Sequence, residues 1–112
     1  MLSWTLILFG IAAVGGVVLA MNIFQGKELP MPLSIVHGVV AAGGLVLLIA
    51  ALFGRENMGM AGWALGLFVL AALGGFALFS FHLRKVEHPK ALVAAHGLLA
   101  VTAFVILLFS TL

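Results

Sequence analysis

Cysteine does not occur in the chain, which excludes disulfides, thiolate metal sites, iron–sulfur ligation and the thioether attachment of c-type haem. Charge is scarce as well. Only 7% of the 112 residues are charged, where soluble domains carry about a quarter. No Asp, Glu, Lys or Arg stands inside a long apolar run, so a proton relay through those runs would have histidine alone to work with. A catalytic triad, a phosphate-binding loop and paired carboxylates are missing, which leaves hydrolysis and phosphoryl transfer without residues to carry them. Any chemistry here belongs to a cofactor. The net charge of +2 sits in short links and gives no basic face for nucleic acid.

What the chain does contain is hydrocarbon: 65% of its residues are hydrophobic. Four apolar stretches, about 2–24, 31–53, 58–82 and 90–112, each approach the ~20 residues that a helix needs to cross a bilayer. The expected fold is therefore an all-α integral membrane protein, one transmembrane domain of four helices embedded in lipid. The links "QGKELP", "GREN" and "HLRKVEHP" are short, so successive helices run antiparallel. Lys27, Arg84, Lys85 and Lys90 lie on the side of the first and third links and Arg55 on the other. The positive-inside bias then puts both termini outside, on the periplasmic side of a bacterial inner membrane. "MLSW" has no basic n-region, so the first stretch reads as a true span and not as a signal peptide.

Displacing the sequence against itself by 59 residues aligns 1–53 with 60–112 without gaps. Trp4 meets Trp63, Glu28 meets Glu87, Pro30 meets Pro89, and His37–Gly38 meets His96–Gly97. Phe9, Ala12, Ala13, Gly15 and Gly16 meet Phe68, Ala71, Ala72, Gly74 and Gly75. In all, 18 of 53 pairs are identical, where the biased composition alone gives about a tenth. The chain is thus two tandem helical hairpins. A unit with two spans repeats in the same orientation, so its copies are related by a pseudo-two-fold axis along the membrane normal, and equivalent residues lie at equal depth.

His37 and His96 are therefore expected level with each other. An ionisable side chain within a span faces the bundle interior or a cavity and marks a functional hypothesis. The structural alternative is an interhelical hydrogen bond that merely ties the bundle together. Each histidine begins a row of small residues on one helical face: His37, Ala41 and Gly44 on one span, His96, Ala100 and Ala103 on the other. Opposite them the first and third spans carry Ala12 with Gly16 and Ala71 with Gly75. Small residues allow close helix packing, and they equally leave room for a flat, bulky group.

Two imidazoles facing across a bundle axis suit the axial ligation of a haem iron from opposite faces of the macrocycle, which makes His37 and His96 the candidate metal ligands. Gly16, Gly75, Ala41, Gly44, Ala100 and Ala103 are the small facing residues. Lys27, Arg84, Lys85 and Lys90 are candidate partners for the propionates. In this plan the chain resembles the four-helix haem-binding bundles of membrane cytochromes b, whose histidines on separate transmembrane helices hold haem between them. The resemblance implies one haem b per chain, one-electron transfer, and a redox partner protein or quinone. Ligation within one chain is the simpler reading because the duplication supplies both ligands; a homo-oligomer would supply them between chains.

The main rival is a small accessory subunit of a larger membrane complex, or a self-associating bundle, whose histidines only form hydrogen bonds. A metal site without haem has just two ligands. Small multidrug transporters match the chain in length alone, since the acidic residue of their first span has no counterpart: Val14 stands there. His82 and His88 break the repeat, their counterparts being Ile23 and Leu29. They are expected at the membrane surface as solvated polar caps, with a quinone contact or an additional metal ligand as the lesser reading.

Overall fold

The computed structural model describes residues 2–112. Four helices follow in order: α1 (Leu2–Phe24), α2 (Met31–Leu52), α3 (Gly59–Leu83) and α4 (Lys90–Ser110). Each is long and apolar enough to cross a membrane, and no strand occurs among the described residues. The bundle is 44 Å long and about half as wide, close to the ~40–45 Å of a bilayer with its headgroups. Its outer surface is apolar all round, with Ile7, Val14, Leu73, Phe76, Leu98 and Val101 exposed. That is the surface of a protein solvated by lipid.

The duplication is visible in where the helices stop. Helix α1 ends at Phe24 and α3 at Leu83, α2 begins at Met31 and α4 at Lys90, each pair 59 residues apart. The same local chemistry terminates both first helices. After α1 the amide of Gly26 donates to the Ile23 carbonyl and that of Lys27 to the Asn22 carbonyl; after α3, Lys85 and Val86 make the equivalent bonds to His82 and Phe81. This closure needs a left-handed residue. Gly26 adopts φ 70° and Lys85 φ 56°. Pro30 and Pro89 then cap α2 and α4 in extended conformation, leaving their carbonyls to receive the amides of Ser34 and Val93.

The other ends differ slightly from the expected spans. Helix α2 stops at Leu52, where Phe53 turns extended ahead of the left-handed Gly54 (φ 80°). Helix α4 stops at Ser110, with Thr111 as its cap. Helix α3 covers Gly59–Leu83 in place of 58–82. The tryptophans, Trp4 and Trp63, stand exposed within the first five residues of α1 and α3, as amphipathic rings that anchor a span in the headgroup region do.

Packing within each hairpin, α1 on α2 and α3 on α4, is much closer than packing between hairpins; α1 also touches α4, and α2 touches α3. Helices α2 and α4 thus lie on one diagonal of the bundle and α1 and α3 on the other. Phe9 and Phe68, equivalent in the repeat, stack face to face across the α1–α3 diagonal with centroids 3.8 Å apart and planes 6° from parallel. Around them are Leu48, Leu52, Ala61, Ala64, Ala103 and Leu107, with Leu48 and Leu107 fully buried. This core fills the half of the bundle next to the chain termini. In the other half, towards links 25–30 and 84–89, Val93 alone is buried among the described residues.

Candidate functional site

His37 and His96 lie in the second turns of α2 and α4, in that less filled half. Each ring reaches the helix before it in the chain. Nδ1–H of His37 donates to the Ala12 carbonyl at 2.8 Å, and Nδ1–H of His96 donates to the Ala71 carbonyl at 2.8 Å. A helix carbonyl is normally shielded by the side chain one turn on, which here is Gly16 or Gly75. A Cβ at Gly16 would stand 3.0 Å from Cε1 of His37, and one at Gly75 would stand 3.1 Å from Cε1 of His96. Only the missing side chain lets the imidazole lie against the helix. Gly15 and Gly74 are less constrained, since a Cβ at either would meet His37 or His96 at an ordinary 3.7 Å.

Because a carbonyl can only accept, each Nδ1 carries the proton in the neutral ring and each Nε2 keeps its lone pair. The two rings meet across the α2–α4 diagonal in a T-shaped contact, with centroids 6.3 Å apart and planes at 85°. A histidine whose Nδ1–H donates to a backbone carbonyl has its ring and tautomer fixed, as metal-bound histidines ordinarily do. The same two hydrogen bonds also tie α1 to α2 and α3 to α4.

The other expected site residues distribute by depth. Ala41 and Ala100 are half-buried one turn beyond the histidines. Gly44 and Ala103 belong to the phenylalanine layer: a Cβ at Gly44 would lie 3.1–3.3 Å from the Phe9 ring, and Ala103 is fully buried in that core. Lys27, Arg84, Lys85 and Lys90 are exposed at the end of the bundle nearer the histidines. Arg84 folds back on α3, its Nε donating to the Ser80 carbonyl at 3.3 Å and its guanidinium lying 4.7 Å from the Phe81 ring centroid. A surface groove over Gly59, Gly62 and Gly66, beside Trp63, is on the outer side of α3 in its first half and is remote from the histidines.

His82 and His88 are not simply solvated caps. Nδ1 of His82 and Oγ of Ser34 share a hydrogen bond of 2.9 Å that joins α3 to α2 across the two hairpins. The rings of His82 and His88 lie 6.0 Å apart, with Phe79 and Phe81 beside them. Burial, then the charge of His82, holds the His88 imidazole below its usual pKa. The sequence signal for this cluster was the departure of His82, His88 and Ser34 from the repeat, Ser34 standing where the second copy has Val93.

No group of three or more His, Cys, Asp or Glu side chains is assembled among the described residues. No protein-family model matches the chain, and neither a curated protein nor a solved structure is detectably similar to it.

Proposed function

We propose that the protein is a membrane haem b protein working in one-electron transfer, with His37 and His96 as axial ligands within one chain. The observation that carries this reading is the separation of the two rings. An imidazole nitrogen binds a first-row metal such as zinc at about 2.0–2.1 Å, so two rings on opposite sides of one ion have centroids roughly 6 Å apart. The His37 and His96 centroids are 6.3 Å apart.

The residues around the pair support the same reading. The Ala12 and Ala71 carbonyls hold both rings in the tautomer that leaves Nε2 available and make that nitrogen a stronger donor to metal. Gly16 and Gly75 give the rings their position, and Ala41 and Ala100 keep the neighbouring turns small. The stacked Phe9 and Phe68 close the floor of the site with hydrocarbon, which excludes water from that side. Lys27, Arg84, Lys85 and Lys90 supply cationic partners for propionates at the open end. Haem held by two histidines supplies a reversible one-electron couple. The basic face would then meet a redox partner protein or quinone, and the positive-inside bias turns that face towards the cytoplasm of a bacterial inner membrane, leaving the termini periplasmic.

Visible spectra of oxidised and dithionite-reduced protein in detergent test this reading. Soret and α bands are expected, with loss of the low-spin spectrum in His37→Ala and in His96→Ala. Absence of both bands after haem supplementation sinks it, as do unaltered bands in both variants.

The two interhelical hydrogen bonds also favour a second reading, a small accessory subunit of a larger membrane complex in which the histidines fasten each hairpin. That reading predicts a colourless protein that co-purifies with larger membrane partners.

A further inference from the structure

The first half of α3 carries a trough on its outward face, lined by Gly59, Gly62, Gly66, Trp63 and Leu70 among others. It starts at the first residue of the helix and reaches the middle of its 25 residues. Gly62 answers to the chain's own packing, since a Cβ there would stand 2.9 Å from Cβ of Met58. Gly66 does not. It is exposed, and a Cβ at that position would meet nothing within 4 Å.

We propose that this face of α3 is the interface of a parallel homodimer, in which the trough of each copy receives α3 of a second copy about a two-fold axis along the membrane normal. This surface does not depend on haem. Three observations favour a second copy over lipid tails as its occupant. The first is the comparison that the repeat supplies. On α1 the counterparts of Gly62, Gly66 and Leu70 are Ser3, Ile7 and Ile11, while Trp4 matches Trp63. Ile7 and Ile11 stand exposed. A lipid-facing helix of this bundle thus carries a large side chain where α3 is cut back to glycine, the poorest helix former after proline.

The second is spacing. Gly62 and Gly66 are four residues apart, the pattern of small residues that lets two membrane helices bring their backbones together. A neighbouring helix gains packing and Cα–H···O contacts from bare backbone, which a lipid tail cannot supply in kind. The third is charge. A second hollow, lined in part by Arg55 and Asn57, adjoins the trough and shares Met58 and Gly59 with it. Glu56 follows Arg55 in this exposed link. Opposite charges side by side at the mouth of the trough make the surface complementary to its own copy. A two-fold axis brings each Arg55 towards Glu56 of the partner subunit.

Orientation and stoichiometry follow from the same features. The uneven placing of basic residues inserts every copy in one sense, so two α3 helices meet in parallel with their 53–58 links on the same side. A two-fold contact uses one patch on both copies and closes on itself. Because Ile7 fills the corresponding place on α1, each chain offers this face once and assembly stops at two. His37 and His96 lie in the other half of the bundle, so each copy keeps its own central pair.

The experiment is energy transfer between full-length copies in phosphatidylcholine vesicles, over a range of protein-to-lipid ratios. The chain has no cysteine, so Leu112→Cys accepts one donor or acceptor dye at an exposed position outside the helices. Transfer that rises linearly with acceptor fraction, as two-copy assembly requires, is expected. Gly66→Ile, which gives α3 the side chain that α1 has at position 7, should weaken association by about tenfold or more. A Cβ at 66 meets nothing in the chain, so the bundle stays folded, as circular dichroism will show. Ile7→Ala should leave association unchanged. Arg55→Glu should weaken it by about twofold to fivefold, and adding Glu56→Arg should restore it. A parent protein that stays monomeric at every ratio, with lipid or nothing in the trough, overturns the proposal. So does Gly66→Ile that associates like the parent, or equal losses in Gly66→Ile and Ile7→Ala. Failure of Glu56→Arg to rescue Arg55→Glu overturns the pairing of charges across the axis.

Discussion

At the scale of single residues, Gly15 and Gly16 look interchangeable in the sequence and are not. A methyl group added at Gly15 meets His37 at 3.7 Å, an ordinary contact, whereas one added at Gly16 meets Cε1 at 3.0 Å with the ring pinned behind by Ala12. Gly15→Ala should therefore be close to neutral. Gly16→Ala should cost about 1–3 kcal/mol as an overpacked site, read by thermal unfolding in detergent, and equal losses for the two variants would remove glycine's special role at 16. Lys85 offers the reverse case. It occupies the left-handed position that Gly26 fills in the first copy, at a cost of about 1–2 kcal/mol for a residue with a side chain. Lys85→Gly should raise stability by about 1 kcal/mol; an unchanged or lowered melting temperature counts against strain there.

At the scale of elements, the link between α3 and α4 carries the pH dependence. His88 has a lower pKa in the folded chain than its usual 6.5, so the unfolded link binds protons more readily. The contribution of His88 to stability is then complete above about 6.5 and is lost as pH falls through the folded value. Amide exchange at 84–88 should accelerate on acidification more in the parent protein than in His88→Asn, and identical acceleration in both would assign the effect elsewhere. How much of these elements was legible beforehand depends on what marks them. Helix ends at Phe24, Met31, Leu83 and Lys90 are written in local chemistry, prolines and a left-handed turn residue, and a repeat shows them twice. Which face of each helix points inward is written nowhere locally. Helices apolar all round have no periodicity to separate core from lipid, so the pairing of Gly44 with Phe9 and of Ser34 with His82 emerges only from the packing. The histidine pair was legible because the duplication placed it; its carbonyl partners, Ala12 and Ala71, were not, since backbone atoms leave no trace in composition.

At the scale of the whole molecule, the phenylalanine stack joins the two hairpins in the middle of their shared core. Phe9→Ala should cost about 3–5 kcal/mol by the usual measure for a buried ring, and its effect should fall on association of the halves more than on either hairpin. Cutting the exposed link 53–58 and producing the two hairpins together should yield a complex that co-purifies and unfolds close to the parent; Phe9→Ala should release the halves. Hairpins that fail to find each other even with Phe9 intact would show that the covalent link is essential.

The fusion of two like hairpins into one chain also has a consequence for direction. In a dimer of identical hairpins, any side chain set beside the central pair appears on both sides, and the site is the same viewed from either helix. Here Ser34 has lost its counterpart to Val93, His82 to Ile23 and His88 to Leu29. All three departures gather along the crevice between α2 and α3 at one end of the bundle. The two histidines of the central pair are thereby made inequivalent by their surroundings, and the two-fold repeat is left with a near side and a far side.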